Sequence, residues 1–346
     1  MRQWGSWALV HDRAVQSEFV SGRWCSRSEA RRSGVGRGRC TPSRARYAVR
    51  NWPAYDRALA RRGDFSIWIA PETLETWRGR GRQTYSDAAI EAALTLRAVF
   101  RLALRQTEGL VGSIFQMLEI VAPVPDHTTL SRRGRRLVID RRVAAGDGID
   151  LVIDSTGLRL YRRGSWRRRK QAGRRTPWRK LHVMIDPRTG SILSEGLTRS
   201  GVHDSQAVPD LLARIDGRLD RVYGDGAYDG APTYQVLIDR CQALPIPQGM
   251  FRPRSPAVRA VDSLDPLTQR GRHARFIAQH GRSNWEKATG YGCRNLVEAT
   301  FSRLKRSFGD QLRGRSLPAQ KVEAAIAVRA LNRMTQLGMP VTERIA

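Results

Sequence analysis

Three carboxylates set the chemistry open to this chain. Asp154 and Asp225 each close an apolar run, Leu151-Val152-Ile153-Asp154 and Val222-Tyr223-Gly224-Asp225. Each is followed by small residues, Ser155-Thr156-Gly157 and Gly226-Ala227, which leave room for a ligand to approach the backbone. The third, Glu298, lies within Tyr291–Lys305. If that segment is a single helix, Tyr291, Arg294 and Lys305 fall about +20°, −40° and −20° from Glu298 at roughly 100° per residue. The four polar groups then share one stripe beside an apolar seam of Val297, Phe301, Leu304 and Phe308, which would dock the helix on a sheet and turn Glu298 toward its edge. Taken singly, a strand-end Asp is ordinarily a cap or turn residue, and a Glu between Arg and Lys is a surface salt-bridge ladder. Converging, the three suit a hard cation such as Mg²⁺ or Mn²⁺. Two such ions about 3.5 to 4 Å apart can activate an attacking hydroxyl and stabilise the leaving oxygen of a phosphodiester.

The elements that must position these acids can be read from the pattern. Leu151–Asp154, Lys180–Asp186 and Ile192–Thr198 read as three consecutive strands, with Pro187–Gly190 as a turn. A helix is expected over Asp204–Ile215, a fourth strand at Arg221–Gly226, a helix over Thr233–Cys241 and a fifth strand at Ala243–Pro247. That order indicates an α/β fold with a mixed sheet flanked by helices. Residues 251–285 are basic with little periodicity and read as an insertion, about 250–285.

Ahead of the sheet the pattern is helical. Ser86 is placed to cap a helix carrying Ile90, Leu94, Ala98 and Leu102 at spacing four. A second runs from Thr107 to Val121, where Pro123-Val124-Pro125 stops it. Asp126 can cap a third over His127–Arg136. Two short helices and a tight turn, the second opening with Thr128, Thr129 and Ser131 and continuing with Arg132 and Arg133, suit a helix-turn-helix-like DNA-binding region. The alternative is a packing domain whose arginines face water. Three domains are therefore expected: a disordered basic extension over 1–46, a helical DNA-binding region over 47–146, and the catalytic domain over 147–346. The extension is either an arm gripping phosphates or the product of an upstream start codon.

Charge points to the partner. Lys+Arg 61 against Asp+Glu 32 leaves +29 among 346 residues, which favours an abundant polyanion, nucleic acid first. The arginine excess over lysine also fits a GC-rich genome, although this does not explain why bases outnumber acids. No run approaches the roughly 18 to 20 apolar residues of a membrane span. The four cysteines form no Cys-x-x-Cys pair and suggest reduced thiols rather than zinc or disulfides. A cytoplasmic chain is expected.

The spacing Tyr291, Arg294, Glu298, Lys305, following two ordered aspartate segments, resembles the signature of bacterial insertion-sequence transposases of the IS-five group, which carry a DDE active site on an RNase H-like fold. Asn51-Trp52-Pro53 and Leu331-Asn332-Arg333-Met334 to Met339-Pro340 also resemble that group's ends, so the likeness spans residues 47–345, and residues 1–46 match nothing in it. The resemblance implies that Asp154, Asp225 and Glu298 hold two divalent ions, Mg²⁺ or Mn²⁺. It implies that Tyr291, Arg294 and Lys305 contact DNA or shape the site. It further implies binding of terminal inverted repeats, hydrolysis at the element ends, joining of 3′-hydroxyls to target DNA, and at least a homodimer in a bacterial, nucleoid-associated setting. The alternative is a catalytically inactive transposase-derived DNA-binding protein or regulator.

Four smaller features remain. His203-Asp204 could orient DNA or assist a metal ligand, but a helix N-cap Asp with a neighbouring surface His is the plainer reading. His182 reads as a satisfied core histidine and Cys293 as a packing residue. Trp166 and Trp178, within the basic stretch Arg162–Lys180, could stack on bases or belong to a solvated edge hairpin. Asp154-Ser155-Thr156-Gly157 lacks both the short motif and the partner loop of an aspartic protease.

Overall fold

A computed structural model describes residues 47–81, 83–139, 143–144, 148–161, 177–240 and 247–345. The expected extension 1–46, most of the basic hairpin with Trp166, and nearly all of the expected strand 243–247 lie outside the described residues. Residues 48–343 form one compact unit, described here; 1–47 and 344–346 belong to another.

Five helices open the fold: α1 (Trp52–Arg61), α2 (Pro71–Glu75), α3 (Asp87–Val99), α4 (Leu104–Met117) and α5 (His127–Arg133). Ser86 caps α3 by accepting from Ala89 N–H, and Asp126 caps α5 by accepting from Thr128 and Thr129 N–H at 2.8 and 2.9 Å. Two of these helices stop earlier than their apolar spacing predicts, and for the same reason. Arg101 and Glu119 each take a left-handed φ of 54°, reversing the chain before Leu102 and Val121 are reached. α5 likewise ends at Arg133 rather than Arg136.

The sheet is built from β1 (Ile149–Leu160), β2 (Trp178–Ile185), β3 (Ile192–Arg199), β4 (Leu219–Gly224) and β5 (Gln248–Phe251) in the order β3-β2-β1-β4-β5. The first three strands form an antiparallel meander, and β4 and β5 run parallel to β1. With helices on both faces, this is the RNase H-like arrangement. Between β3 and β4 the expected single helix is a 3₁₀ turn, Asp204–Ala207, followed by α6 (Val208–Leu212). Pro209 sits at the start of α6, where its missing N–H costs nothing. α7 (Ala231–Arg240) connects β4 to β5.

The stretch read as aperiodic holds α8 (Ser255–Arg259), α9 (Gln269–His280) and α10 (Arg282–Thr289). Its apolar residues are too sparse among arginines to show a period, yet Ala274, Ile277 and Trp285 are buried. Gln269 Oε1 accepts from Gly249 N–H at 2.7 Å, fastening α9 to β5. Then come α11 (Asn295–Phe308), β6 (Gln311–Leu312), which pairs in parallel alongside Arg159 and Leu160 at the end of β1, and α12 (Leu317–Leu337).

Alternation along β1 explains its unbroken apolar run: both faces are covered. Val152 and Leu158 pack with Val297, Phe301 and Leu304 of α11, while Leu151 and Ile153 pack with Val208 and Leu211 of α6 and Leu237 of α7. α12 is apolar on two sides. Val322, Ile326, Ala330 and Met334 join the core of the N-terminal helices, whereas Ala324, Val328 and Leu331 join the core of the sheet. Asn332 on this helix accepts from Ile192 N–H at 2.9 Å and donates to Ile192 O at 2.7 Å, clamping it to β3. Asn51 holds the chain beyond α12 in the same manner, donating to Met339 O and accepting from Val341 N–H. No helix among the described residues is long and apolar enough to cross a membrane.

Candidate active site

Parallel pairing of β1 with β4 sets the first two acids side by side. Val152 lies opposite Tyr223, so two residues further along each strand Asp154 and Asp225 arrive at the same level. Val152 and Tyr223 both face α11, and the period of two directs Asp154 and Asp225 to that face also. Gly224 is required just before Asp225: a Cβ there would meet Tyr228 at 2.9 Å, Phe251 at 3.0 Å and Ile153 at 3.1 Å. Asp225 opens a turn, its Oδ1 accepting from Ala227 N–H at 2.8 Å. Asp154 Oδ1 accepts from the N–H of Ser155 at 2.7 Å.

The third acid arrives by a different geometry from the single helix that the spacing suggests. Gly290, at φ +69°, ends α10, and Tyr291–Arg294 then forms a 3₁₀ turn before α11 starts at Asn295. The tighter turn breaks the expected stripe. Tyr291 goes inward, packing on Trp285 at 5.1 Å between ring centroids and donating its hydroxyl to Gly224 O at 3.0 Å. It therefore pins the start of α11 to the end of β4, one residue from Asp225, and burial pushes its phenol up to about 12. Arg294 joins the acids: Nη2 donates to Asp154 Oδ2 at 2.8 Å and Nη1 to Glu298 Oε1 at 3.0 Å. Lys305 is half-buried further along α11.

Electrostatics mark Asp154 as the strained member. Burial raises its carboxyl from 3.8 to about 6, with Asp225 adding to the rise and the Ser155 N–H and Arg294 opposing it. For Arg294 burial works against the charge, but Asp154, Tyr291, Asp225 and Glu298 outweigh it and raise the group.

Among the described residues no three His, Cys, Asp or Glu side chains are gathered closely enough to hold a metal ion. Asp154 and Glu298 are instead both turned onto the guanidinium of Arg294. The donor set nevertheless fits a hard cation. It is all oxygen, it pairs two carboxylates at one level of adjacent strands, and a positive charge already lies against two of its three members.

The residues expected to read DNA are largely occupied by the fold. Thr128 and Thr129 turn their hydroxyls onto Asp126, and Arg133 binds Asp87 at 2.5 Å and Tyr85 O at 3.0 Å. Ser131 is half-buried and Arg132 exposed. They border a cleft of about 950 Å³ that also meets Arg105, Arg135 and Arg315, with Glu323 its one lining carboxylate among the described residues. His182 is fully buried, as expected, but only half satisfied: Nε2 pairs with Thr198 Oγ1 at 2.9 Å, whereas Nδ1 has no hydrogen-bond partner among the described residues. Cys293 is half-buried against the core of the sheet, as expected of a packing residue, and burial pushes its thiol up to about 11. Asp204 is not the expected cap. His203 accepts from Ser205 N–H instead, and Asp204 turns inward to Lys180 and Ser155.

Two solved structures resemble the chain weakly. A piggyBac transposase synaptic complex with hairpin DNA is 10% identical, covering 78% of this chain and 73% of that one with a TM-score of 0.37. A Drosophila P element transposase strand transfer complex is 11% identical, covering 81% and 86% with a TM-score of 0.27. Neither score carries an argument. The family comparison is far stronger: residues 60–163 and residues 145–333 each match a family described as a transposase DDE domain. The second match takes in more than half of the chain, from the strand that carries Asp154 and the strand that leads into Asp225 to the helices bearing Glu298 and Asn332, and the protein belongs to the transposase DDE domain family.

Proposed function

We propose that this chain is the DNA transposase of a bacterial insertion sequence of the IS-five group. It binds terminal inverted repeats, hydrolyses a phosphodiester at each element end and joins the freed 3′-hydroxyls to target DNA. The observation that supports this most directly is the linkage of Asp154, Arg294 and Glu298, with Asp225 level with Asp154 on the next strand. Asp154, Asp225 and Glu298 would hold two Mg²⁺ or Mn²⁺ ions, which when bound supply Lewis-acid activation of the attacking oxygen and charge stabilisation of the leaving one. Arg294 offers two N–H groups in a fixed fork, and a phosphate presents the same bidentate acceptor as the carboxylates it now holds. Lys305 adds a point charge for a neighbouring phosphate, and Tyr291 keeps α11 and β4 in register.

In this reading residues 47–146 engage DNA and 147–346 perform catalysis. The exposed Arg105, Arg132, Arg135 and Arg315 along the cleft provide cations for a phosphate backbone. Synapsis of two ends calls for at least a homodimer, working at the nucleoid.

A duplex ending in inverted repeats identified by sequencing the DNA on either side of the gene tests the proposal. Cleavage and strand transfer are expected with Mg²⁺ and not with chelator, and Asp154→Asn should abolish both while leaving repeat binding intact. Repeat binding without cleavage in either condition would instead identify a regulator, and strand transfer by Asp154→Asn would refute the metal assignment.

A further inference from the structure

Ser155 connects the two faces of the sheet. Asp154 points to the face covered by α11; Ser155, the next residue, points to the face covered by α6, as do His182 and Lys180 on β2, which lie opposite Ser155 and Gly157. On that second face the chain leaving β3 brings in Asp204. Its Oδ1 accepts from Ser155 Oγ at 3.0 Å and from Lys180 Nζ at 3.1 Å, with His182 Nδ1 3.7 Å away. Lys180 is itself held by Val202 O at 2.8 Å. The side chains are well covered, Asp204 20% exposed, Lys180 18% and His182 0%.

We propose that Asp204, acting through Ser155, is a positioning residue for the Asp154 carboxylate. Ser155 donates twice, its N–H to Asp154 Oδ1 at 2.7 Å and its hydroxyl to Asp204. Fixing the hydroxyl to a carboxylate that Lys180 holds in place fixes the peptide between residues 154 and 155, and so the direction of the N–H that aims Asp154. Asp154 is then gripped from both faces, by Arg294 on the α11 side and by the Asp204–Ser155 link from the α6 side. Outer hydrogen bonds of this kind orient ligating carboxylates, and their loss typically weakens metal binding about 10- to 100-fold. Asp204 touches neither Asp225 nor Glu298 in the contacts described, so its effect runs through Ser155 rather than through direct ligation.

The proposal rests on the metal-holding role assigned above to Asp154, and the experiment separates the two. Mn²⁺ binding to the DNA-free, full-length protein is measured by electron paramagnetic resonance of the free ion, with thermal melting in chelator as a check on folding. Ser155→Ala and Asp204→Ala should each weaken Mn²⁺ binding at least fivefold, whereas Ser155→Thr, which keeps the hydroxyl, should bind like the parent. If Asp204→Ala does not fold, the Ser155 pair decides the matter, because that hydroxyl donates to Asp204. A loss below fivefold in Ser155→Ala, an equal loss in Ser155→Thr, or parental binding by folded Asp204→Ala overturns the proposal. Asp154→Asn is the control. If it abolishes binding while Ser155→Ala does not weaken it, the positioning role alone fails; if it binds Mn²⁺ like the parent, the metal assignment fails and this role with it.

Discussion

Asp154→Asn should make the cation-free protein more stable above pH 6. The Asp154 side chain is only 15% exposed, and burial raises its carboxyl from 3.8 to about 6 despite Arg294 at 2.8 Å. The folded state thus binds this proton more tightly than the unfolded chain does. Stability falls as pH rises from about 4 to about 6 and then levels off, the sign opposite to that of a salt-bridged surface carboxylate. A displacement of this size corresponds to about 3 kcal/mol. Asn cannot ionise and escapes that cost, and the lost attraction to Arg294 is already contained in the balance. For a domain of this length about 3 kcal/mol is roughly 5 °C in melting temperature. Differential scanning calorimetry in chelator at pH 8 and pH 4 is the assay: the variant should melt higher at pH 8, and the gap should close at pH 4. Mn²⁺ should then raise the parent's melting temperature and leave the variant's unchanged, since a ligand stabilises only the state that binds it. A variant less stable than its parent at pH 8, or a gap independent of pH, would refute the assignment of Asp154 as a desolvated carboxylate.

Other consequences follow from single contacts. Arg294→Lys keeps the charge but not the fork that holds Asp154 and Glu298 together, so strand transfer should fall by about ten- to a hundredfold with the fold intact by circular dichroism. Asn332→Ala removes both hydrogen bonds to Ile192 and should cost about 2 kcal/mol in urea denaturation. Gly224→Ala places a methyl within 3.1 Å of three side chains and should cost about 1 to 3 kcal/mol, with cleavage impaired because Asp225 is the next residue. The double change Arg132→Glu and Arg135→Glu should weaken DNA binding across sequences and flatten its dependence on log salt concentration by about 2.

How much of this was legible beforehand divides by range. The placement of Asp225 just after a strand, the caps at Ser86 and Asp126, and the order of strands and helices through the sheet are local patterns, because periodicity and capping involve residues within a few positions of one another. Asp154 does not end its strand as its apolar run suggests: β1 continues past it to Leu160, where pairing with β2 and β6 holds the more polar half in the sheet. The helix ends at Arg101 and Glu119, where the chain reverses, are not legible in the sequence, since nothing in either side chain announces a left-handed backbone. The helices of 251–289 were hidden by a composition too basic to show a stripe.

By itself, then, the sequence determined which acids are available, on which kinds of element they stand, and that the chain carries a large excess of positive charge. Tertiary structure alone decided what each one touches. Arg294 reaches Asp154 across 140 positions, Tyr291 reaches Gly224 across 67, and Ser155 reaches Asp204 across 49. It also turned Thr128 and Thr129 onto Asp126, Arg133 onto Asp87 and Tyr85, and Asp204 inward. Such partners are chosen by how sheet faces and helices pack, a property of the whole fold, and no local pattern of residues carries it.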